Sequence, residues 1–246
     1  MWAAAAGAAG ITGLSFFYAA LSRGTMGVVA PLAALIGAGL PVVVSIAGGE
    51  TLSVGRVIGI ASALAAVVLI SLPGGERTVD DRRRRRIDVR EMPLVIGAGL
   101  GFAFFFLLFQ RATENGEIWW PQVSVRVAGI ILLSLAFVVA IRRARGSGRS
   151  LTTRADVLLG LPRLRARGVP ALQLSGLFLL TGLGDLGGNA FFALASQADA
   201  FAVAVVLSSL YPVVTTILAV LLLRERLRPM QILGVVLATI SVTLLR

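Results

Sequence analysis

The chain has 246 residues, of which 57% are hydrophobic and only 14% are charged, whereas soluble domains average roughly 25% charged residues. This composition indicates a membrane protein, and the formal net charge of +11 comes from arginines that cluster between apolar runs, which argues against nucleic-acid binding. The absence of cysteine and histidine excludes disulfides, thiolate nucleophiles and zinc sites of the usual kind, so we expect no cofactor and no enzymatic activity.

Eight apolar runs are long enough to cross a bilayer as helices, because a spanning helix needs about 20 mostly apolar residues. The first run lacks the basic segment of a secretory signal and is predicted to be a helix. The sequence therefore predicts an all-α polytopic membrane protein with about eight transmembrane helices. In chain order the predicted spans are 2–21, 25–47, 54–72, 93–110, 120–141, 171–195, 200–223 and 229–245.

Two long connections carry most of the arginines. Residues 73–92 hold seven of them and residues 142–170 hold eight. Anionic lipid headgroups are the expected partner of both loops, and the alternative is that their charge only sets the topology. The loops after odd-numbered spans contain 19 of the 23 arginines, which predicts that these loops are cytoplasmic and that the C-terminus is outside.

The chain contains an internal repeat. A shift of 175 residues aligns residues 10–70 with residues 185–245 without a gap, and it pairs Glu50 with Glu225 and Gly59 with Gly234. Five predicted spans lie between the two glutamates, so the two copies face opposite sides of the membrane. This is an inverted-topology repeat, which is common in secondary transporters.

The repeated glutamate and glycine predict helix packing and register. Each glutamate precedes a helix, where a carboxylate is favoured by the helix dipole and can cap free N–H groups. Glycine at position 59 or 234 lets that helix approach a neighbour closely. Substrate contact by these residues is the alternative.

The chain resembles the EamA family of the drug/metabolite transporter superfamily. The resemblance rests on an apolar helix with a mid-span proline and a following glutamate (LSSLYPVVTTILAVLLLRERL), then on Q-x-x-G and a closing helix (MQILGVVLATISVTLL). The first copy carries the same elements as VVAPLAALIGAGLPVVVSIAGGETLSVGRVIG. The resemblance implies ten spans in two inverted five-helix repeats around a central cavity. It also implies a secondary transporter, an exporter of small metabolites or drugs by alternating access in the bacterial cytoplasmic membrane.

The chain departs from this pattern at its start, because its first predicted span corresponds to the third helix of the first repeat. We expect a misassigned start or a truncated gene, and a natural eight-span protein is the alternative. Members of the family keep both termini in the cytoplasm, which conflicts with the orientation predicted from the arginines. Residues 1–72 thus hold the last three helices of the first repeat, residues 73–92 a linker, and residues 93–246 a complete five-helix repeat with the arginine-rich loop 142–170.

The sixth span carries the clearest candidate for function. Asp185 lies near its middle, and Thr181 and Asn189 lie four residues before and after it, on the same helix face. We expect this face to line the cavity, because charges inside spans are costly in lipid. The aspartate can exchange a proton and so couple transport to the proton gradient, or it can bind a cationic substrate. The alternative is a structural aspartate held by helix–helix hydrogen bonds.

Two further spans contribute candidates. Arg126 in the fifth span can pair with Asp185 or bind a substrate carboxylate, and the alternative is that it reaches the membrane interface. Pro212 in the seventh span frees the carbonyl of Ser208 and is predicted to kink the helix as a hinge. The other cavity candidates are Tyr211 and Thr215, and Pro41 is the hinge candidate in the first copy.

Gly182, Gly184 and Gly187 match the dinucleotide-binding pattern G-x-G-x-x-G, but they lie inside a predicted span and follow no strand. Close helix packing, helped by Gly188, is the predicted reason for these glycines.

The expected partners are a small-molecule substrate, membrane lipids, protons as a coupling ion and a second copy in a homodimer. A second hypothesis is a non-transporting or partner-dependent membrane subunit, in which another chain supplies the missing walls.

Overall fold

A computed structural model of the chain describes residues 1–23, 26–71, 92–145, 171–198, 201–223 and 227–245. Each predicted span corresponds to helical structure in these ranges. Two predictions concern residues outside the described ranges. They are the prediction of lipid binding by the two arginine-rich loops, apart from the ends of those loops, and the prediction for Glu225. The helices are α1 Trp2–Arg23, α2 Met26–Ala47, α3 Val54–Ser71, α4 Met92–Thr113, α5 Trp119–Arg145, α6 Ala171–Ala198, α7 Phe201–Ser208, α8 Tyr211–Leu223 and α9 Pro229–Leu244.

The helices confirm a polytopic membrane protein. Seven segments of the described ranges are long and apolar enough to cross a bilayer, and the seventh of them runs from α7 into α8. The last helix, α9, is apolar but has only 16 residues. At 1.5 Å per residue it extends about 24 Å, somewhat less than the roughly 30 Å hydrocarbon core.

Glycines set the packing of the helices around the centre. Helix α1 lies along α4 and α5, and α2 also packs against α4. Gly13 of α1 meets Gly101 of α4 so closely that a Cβ at Gly13 would lie 3.0 Å from the Gly101 Cα. Small residues on both helices allow this approach, as they do in other membrane helix pairs.

The closing helices of the two repeat copies, α3 and α9, pack against each other. A Cβ at Gly59 would lie 2.9 Å from the Leu245 side chain, and a Cβ at Gly234 would lie 2.6 Å from Ile70. The repeat shift of 175 exchanges these two contacts, because it carries Gly59 to Gly234 and Ile70 to Leu245. The start of each helix thus meets the end of the other, so the two helices run antiparallel, as the closing helices of an inverted repeat should.

The closing helices begin with different caps. In α3 the Ser53 hydroxyl accepts a hydrogen bond from the Arg56 backbone N–H at 3.3 Å. In α9, which starts with Pro229, the Gln231 side chain accepts from the Arg228 backbone N–H at 3.1 Å. Serine as an N-cap, proline at the first helical position and a returning glutamine are all favoured at helix starts.

The prediction that Glu50 caps the helix following it is wrong. Its Oε2 accepts hydrogen bonds from the Ser45 hydroxyl and from the backbone N–H of Ala202, the latter at 3.4 Å. Ala202 lies in the first turn of α7, so Glu50 caps a helix of the other repeat copy. Ser53 already caps α3, which leaves the carboxylate free to reach across the interface.

The seventh span is interrupted, as its proline predicted. Helix α7 ends at Ser208 and α8 begins at Tyr211. Across the break the Val213 N–H donates to the Leu210 carbonyl at 2.9 Å, which makes a tight turn that contains Pro212. The ring of Pro212 prevents a regular helix from continuing through this point. In contrast, α2 continues through Pro41 without a break.

The prediction of close packing at the α6 glycines is wrong within the described part of the chain. No described side chain and no backbone of another helix lies within 4 Å of a Cβ built at Gly182, Gly184, Gly187 or Gly188. All residues from Leu177 to Asp185 are exposed. The corresponding glycines of α1 pack against α4 and α5, so the equivalent face of α6 is uncovered.

Candidate functional site

Two adjoining cavities lie between the helices, and together we call them the central chamber. One has a volume of ≈ 340 Å³ and is reached by the charged side chains of α5 and α6, so we call it the charged lobe. The other has a volume of ≈ 370 Å³ and is walled by α1, α2 and α4 and by the break between α7 and α8, and we call it the aromatic lobe. Leu14, Phe102 and Phe105 line both.

The charged lobe holds an ion pair between two predicted site residues. Arg126 Nη2 lies 2.6 Å from Asp185 Oδ2, and the two side chains are 34% and 60% exposed. Asn189 donates a hydrogen bond from Nδ2 to the other Asp185 oxygen at 3.4 Å. All three residues line the lobe. The carboxylate is therefore held on one side by a guanidinium and on the other by an amide of its own helix.

A buried glutamine places the two partners of this ion pair. Gln122 lies one turn before Arg126 on α5 and is only 1% exposed. Its Nε2 donates to the backbone carbonyl of Leu186, next to Asp185 on α6, at 3.1 Å. This bond links the helices at the level of the pair. The sequence reasoning missed Gln122, although an amide four residues before an intramembrane arginine was a usable signal.

Glycines of α1 and α5 also line the charged lobe. Gly10 and Gly129 line the charged lobe. A Cβ at Gly10 would lie 3.0 Å from the Phe105 ring, and one at Gly129 would lie 3.1 Å from Ile11. Larger residues there would push α1 away from α4 and α5 and change the shape of the lobe.

The aromatic lobe is lined by apolar side chains and by hydroxyls at the helix break. Ser208, Ser209 and Tyr211 face it from the break, as predicted for Ser208 and Tyr211. Ser209 is largely buried, and its hydroxyl donates to the Val206 carbonyl at 2.7 Å. The break thus places polar groups against an otherwise aromatic surface.

Two predicted cavity residues do not line either lobe. The Thr181 hydroxyl donates to the Leu177 carbonyl at 2.8 Å, and the Thr215 hydroxyl donates to the Pro212 carbonyl at 3.0 Å. Both bonds lie within their own helix and both are exposed. Of the predicted cavity residues, the structure therefore brings Arg126, Asp185 and Asn189 together in one lobe and Ser208 and Tyr211 in the other.

A separate polar cavity of ≈ 460 Å³ lies where α2, α4 and α6 end and α7 begins. We call this side of the molecule the Glu50 face and this cavity the vestibule. Its lining includes Glu50, Gln110, Arg111 and Ser196. Arg111 is paired with Glu114 at 3.0 Å, so its charge is already matched.

The chamber can bind a small molecule with both charged and apolar parts. Its charged groups lie inside predicted spans, where ionisable side chains mark substrate or ion paths. The apolar surface of the second lobe adjoins them, as in most small-molecule sites. Each member of a pair at 2.6 Å can instead bind a ligand of the opposite charge, and a proton on Asp185 would release Arg126 for an anionic group.

One comparison with known proteins identifies a family for this chain. No curated protein matches the chain significantly. The model of the EamA-like transporter family matches residues 90–246, which is more than half of the chain and includes α4 to α9. The chain is therefore a multi-pass membrane protein that belongs to the EamA-like transporter family of the drug/metabolite transporter superfamily.

Proposed function

We propose that the chain is a secondary active transporter that exports a small metabolite or drug-like molecule across the bacterial cytoplasmic membrane. The observation that carries this proposal is the Arg126–Asp185 pair, which lies inside the spans and lines a cavity between the repeat copies. Ionisable side chains at this depth are costly, and for that reason they usually mark a functional site. Its position between inverted copies is where substrate and coupling ions bind in alternating-access carriers.

In the proposed mechanism the ion pair exchanges partners. A substrate carboxylate takes Arg126, or a substrate cation takes Asp185, while the apolar part of the substrate enters the aromatic lobe. Protonation of Asp185 releases Arg126 and couples the exchange to the proton gradient. Asn189 remains on the aspartate throughout and limits its movement.

A transport assay tests this function. Proteoliposomes containing the purified chain are given a small-metabolite extract and a proton gradient, and mass spectrometry identifies solutes that cross the membrane. We expect Asp185→Asn to abolish gradient-driven movement, because it removes the titratable group. Glu114→Gln is the matched control, since it also neutralises a carboxylate in an ion pair, but outside the chamber. Full coupling in Asp185→Asn would remove Asp185 from the mechanism.

One observation favours a second candidate, a partner-dependent membrane subunit. The α6 face from Leu177 to Asp185 is exposed and includes an aspartate that is 60% exposed at mid-span. Lipid would not tolerate that charge, so another polypeptide covering α6 would complete the wall. A second copy of this chain is one such cover.

Flux and mass measurements separate the two candidates. Solute movement that needs a co-purifying chain would support the subunit, and movement with the purified chain alone would contradict it. The intact mass of the product made from the native locus supplies a second test. A mass above 25.7 kDa by about two spans would mean that the same polypeptide has further spans available to cover α6.

A further inference from the structure

Five phenylalanines separate the central chamber from the vestibule, and we call them the phenylalanine plug. They come from α4, α6 and α7 and belong to one hydrophobic cluster, in which Phe105 and Phe106 are partly buried and the other three are buried. Phe106 lines the aromatic lobe, and Phe201 lines the vestibule. Phe192 joins them, with ring centroids 5.0 Å from Phe106 and 6.2 Å from Phe201. The remaining members are Phe105 and Phe109, which stack at 5.5 Å.

One member of the plug is carried by a short helix. Phe201 is the first residue of α7, which has only eight residues. The helix ends at the break before Pro212, where the backbone already departs from helical hydrogen bonding. Movement of α7 about this break would withdraw Phe201 from the plug without displacing α8.

The carboxylate of Glu50 binds the N-terminal end of this helix. It accepts the N–H of Ala202, one residue after Phe201, at 3.4 Å. The Ser45 hydroxyl donates to the same oxygen and fixes the carboxylate against α2. A negative charge at a helix N-terminus is favoured by the helix dipole as well as by the hydrogen bond. Glu50 comes from the first repeat copy and α7 from the second, so the contact joins the two copies.

We propose that α7 is the gate between the central chamber and the Glu50 face, and that Glu50 is its latch. The closed gate keeps Phe201 in the plug. Loss of the Glu50–Ala202 contact frees the start of α7, and Phe201 then leaves its ring neighbours and connects the aromatic lobe with the vestibule. This inference rests on the proposed transport function. It identifies how the chamber is closed towards the Glu50 face during the transport cycle.

Thiol labelling tests the gate, because the chain contains no cysteine. A Ser208→Cys reporter lies behind the plug in the aromatic lobe, and a Ser196→Cys reporter lies in front of it in the vestibule. Fluorescein maleimide, which does not cross membranes, is added to sealed vesicles from one side. The side that labels Ser196→Cys is the Glu50 face. From that side we expect slow labelling of Ser208→Cys in the parent chain.

Two substitutions remove the latch in different ways. Glu50→Gln removes the charge, whereas Glu50→Asp keeps the charge and shortens its reach to Ala202. We expect both to speed labelling of Ser208→Cys about tenfold, which corresponds to about 1.4 kcal/mol. Labelling of Ser196→Cys should not change, because this position lies in the vestibule in front of the plug. Glu114→Gln is the matched control, because it removes a carboxylate of the same face whose described partner is Arg111 and not α7.

The outcomes distinguish this inference from the proposed function. Equal labelling of Ser208→Cys in the parent, Glu50→Gln, Glu50→Asp and Glu114→Gln would overturn the latch. The labelling uses no substrate, so a gate that opens in a chain without flux would leave the gate standing and contradict the transport function. Flux together with unchanged labelling would support the transport function and overturn the latch.

Discussion

The contact between Gly234 of α9 and helix α3 allows a quantitative prediction for Gly234→Ala. A Cβ there would lie 2.6 Å from Ile70 Cγ1 and 3.2 Å from both the Ile70 nitrogen and the Ala66 carbonyl oxygen. Two of the three atoms belong to the backbone, and isoleucine is stiff at χ1. The methyl group therefore has to push the helices apart, and overpacking of this kind costs about 1–3 kcal/mol. For a chain of this size that lowers Tm by about 2–12 °C.

Two further glycines provide matched comparisons. At Gly59 the three nearest atoms belong to the side chains of Leu245 and Leu244 and none belongs to the backbone, so they can shift more easily than the atoms beside Gly234. Gly59→Ala should therefore cost less than Gly234→Ala. At Gly182 no described side chain and no backbone of another helix lies within 4 Å. Gly182→Ala should leave Tm unchanged or raise it, because alanine is favoured over glycine in helices by roughly 0.5–1 kcal/mol.

Thermal unfolding of the purified variants in detergent, followed by far-UV circular dichroism, measures this order. Equal Tm values for Gly234→Ala and Gly182→Ala would refute the close α3–α9 packing. A large loss in Gly182→Ala would instead mean that the α6 face is covered in the purified protein.

Two further predictions concern the link between α5 and α6. Asp185→Asn and Arg126→Gln each leave one charge unpaired inside a span, so each should lower Tm more than the double variant does. A double-mutant cycle measures this coupling, and purely additive losses would show that the pair contributes none. Gln122→Leu removes the hydrogen bond to the Leu186 carbonyl and should cost about 1 kcal/mol, or about 2–4 °C in Tm. A Tm equal to that of the parent would mean that this amide does not hold the two helices together.

The helices and the antiparallel closing pair could be predicted from the sequence. Apolar runs of span length identify helices because no other single-segment structure satisfies its backbone within lipid. The shift of 175 residues pairs Gly59 with Gly234, and their reciprocal packing follows from the repeat. The ion pair could also be predicted, because Arg126 and Asp185 are opposite charges in neighbouring spans and each needs a partner.

Contacts across the repeat interface could not be predicted. Glu50 contacts Ala202, 152 residues away, and no local pattern identifies that partner. The sequence around Glu50 predicts only that the carboxylate is near a helix start, and both α3 and α7 begin on this face. The prediction of close packing at the α6 glycines was wrong for a different reason. Small residues indicate that a helix can be approached closely, but they do not indicate which segment approaches it.

The α3–α9 contact also has a consequence for synthesis of the protein. Gly59 meets Leu245, so the glycine surface of α3 has no partner until nearly the whole chain has been translated. At about 5–20 residues per second, the 185 intervening residues take about 10–40 s. During that interval α3 lies in the membrane beside lipid or an insertion factor, with its small-residue surface open to other helices. The newly made chain is therefore most vulnerable to mispairing at α3, and arrival of α9 ends that period.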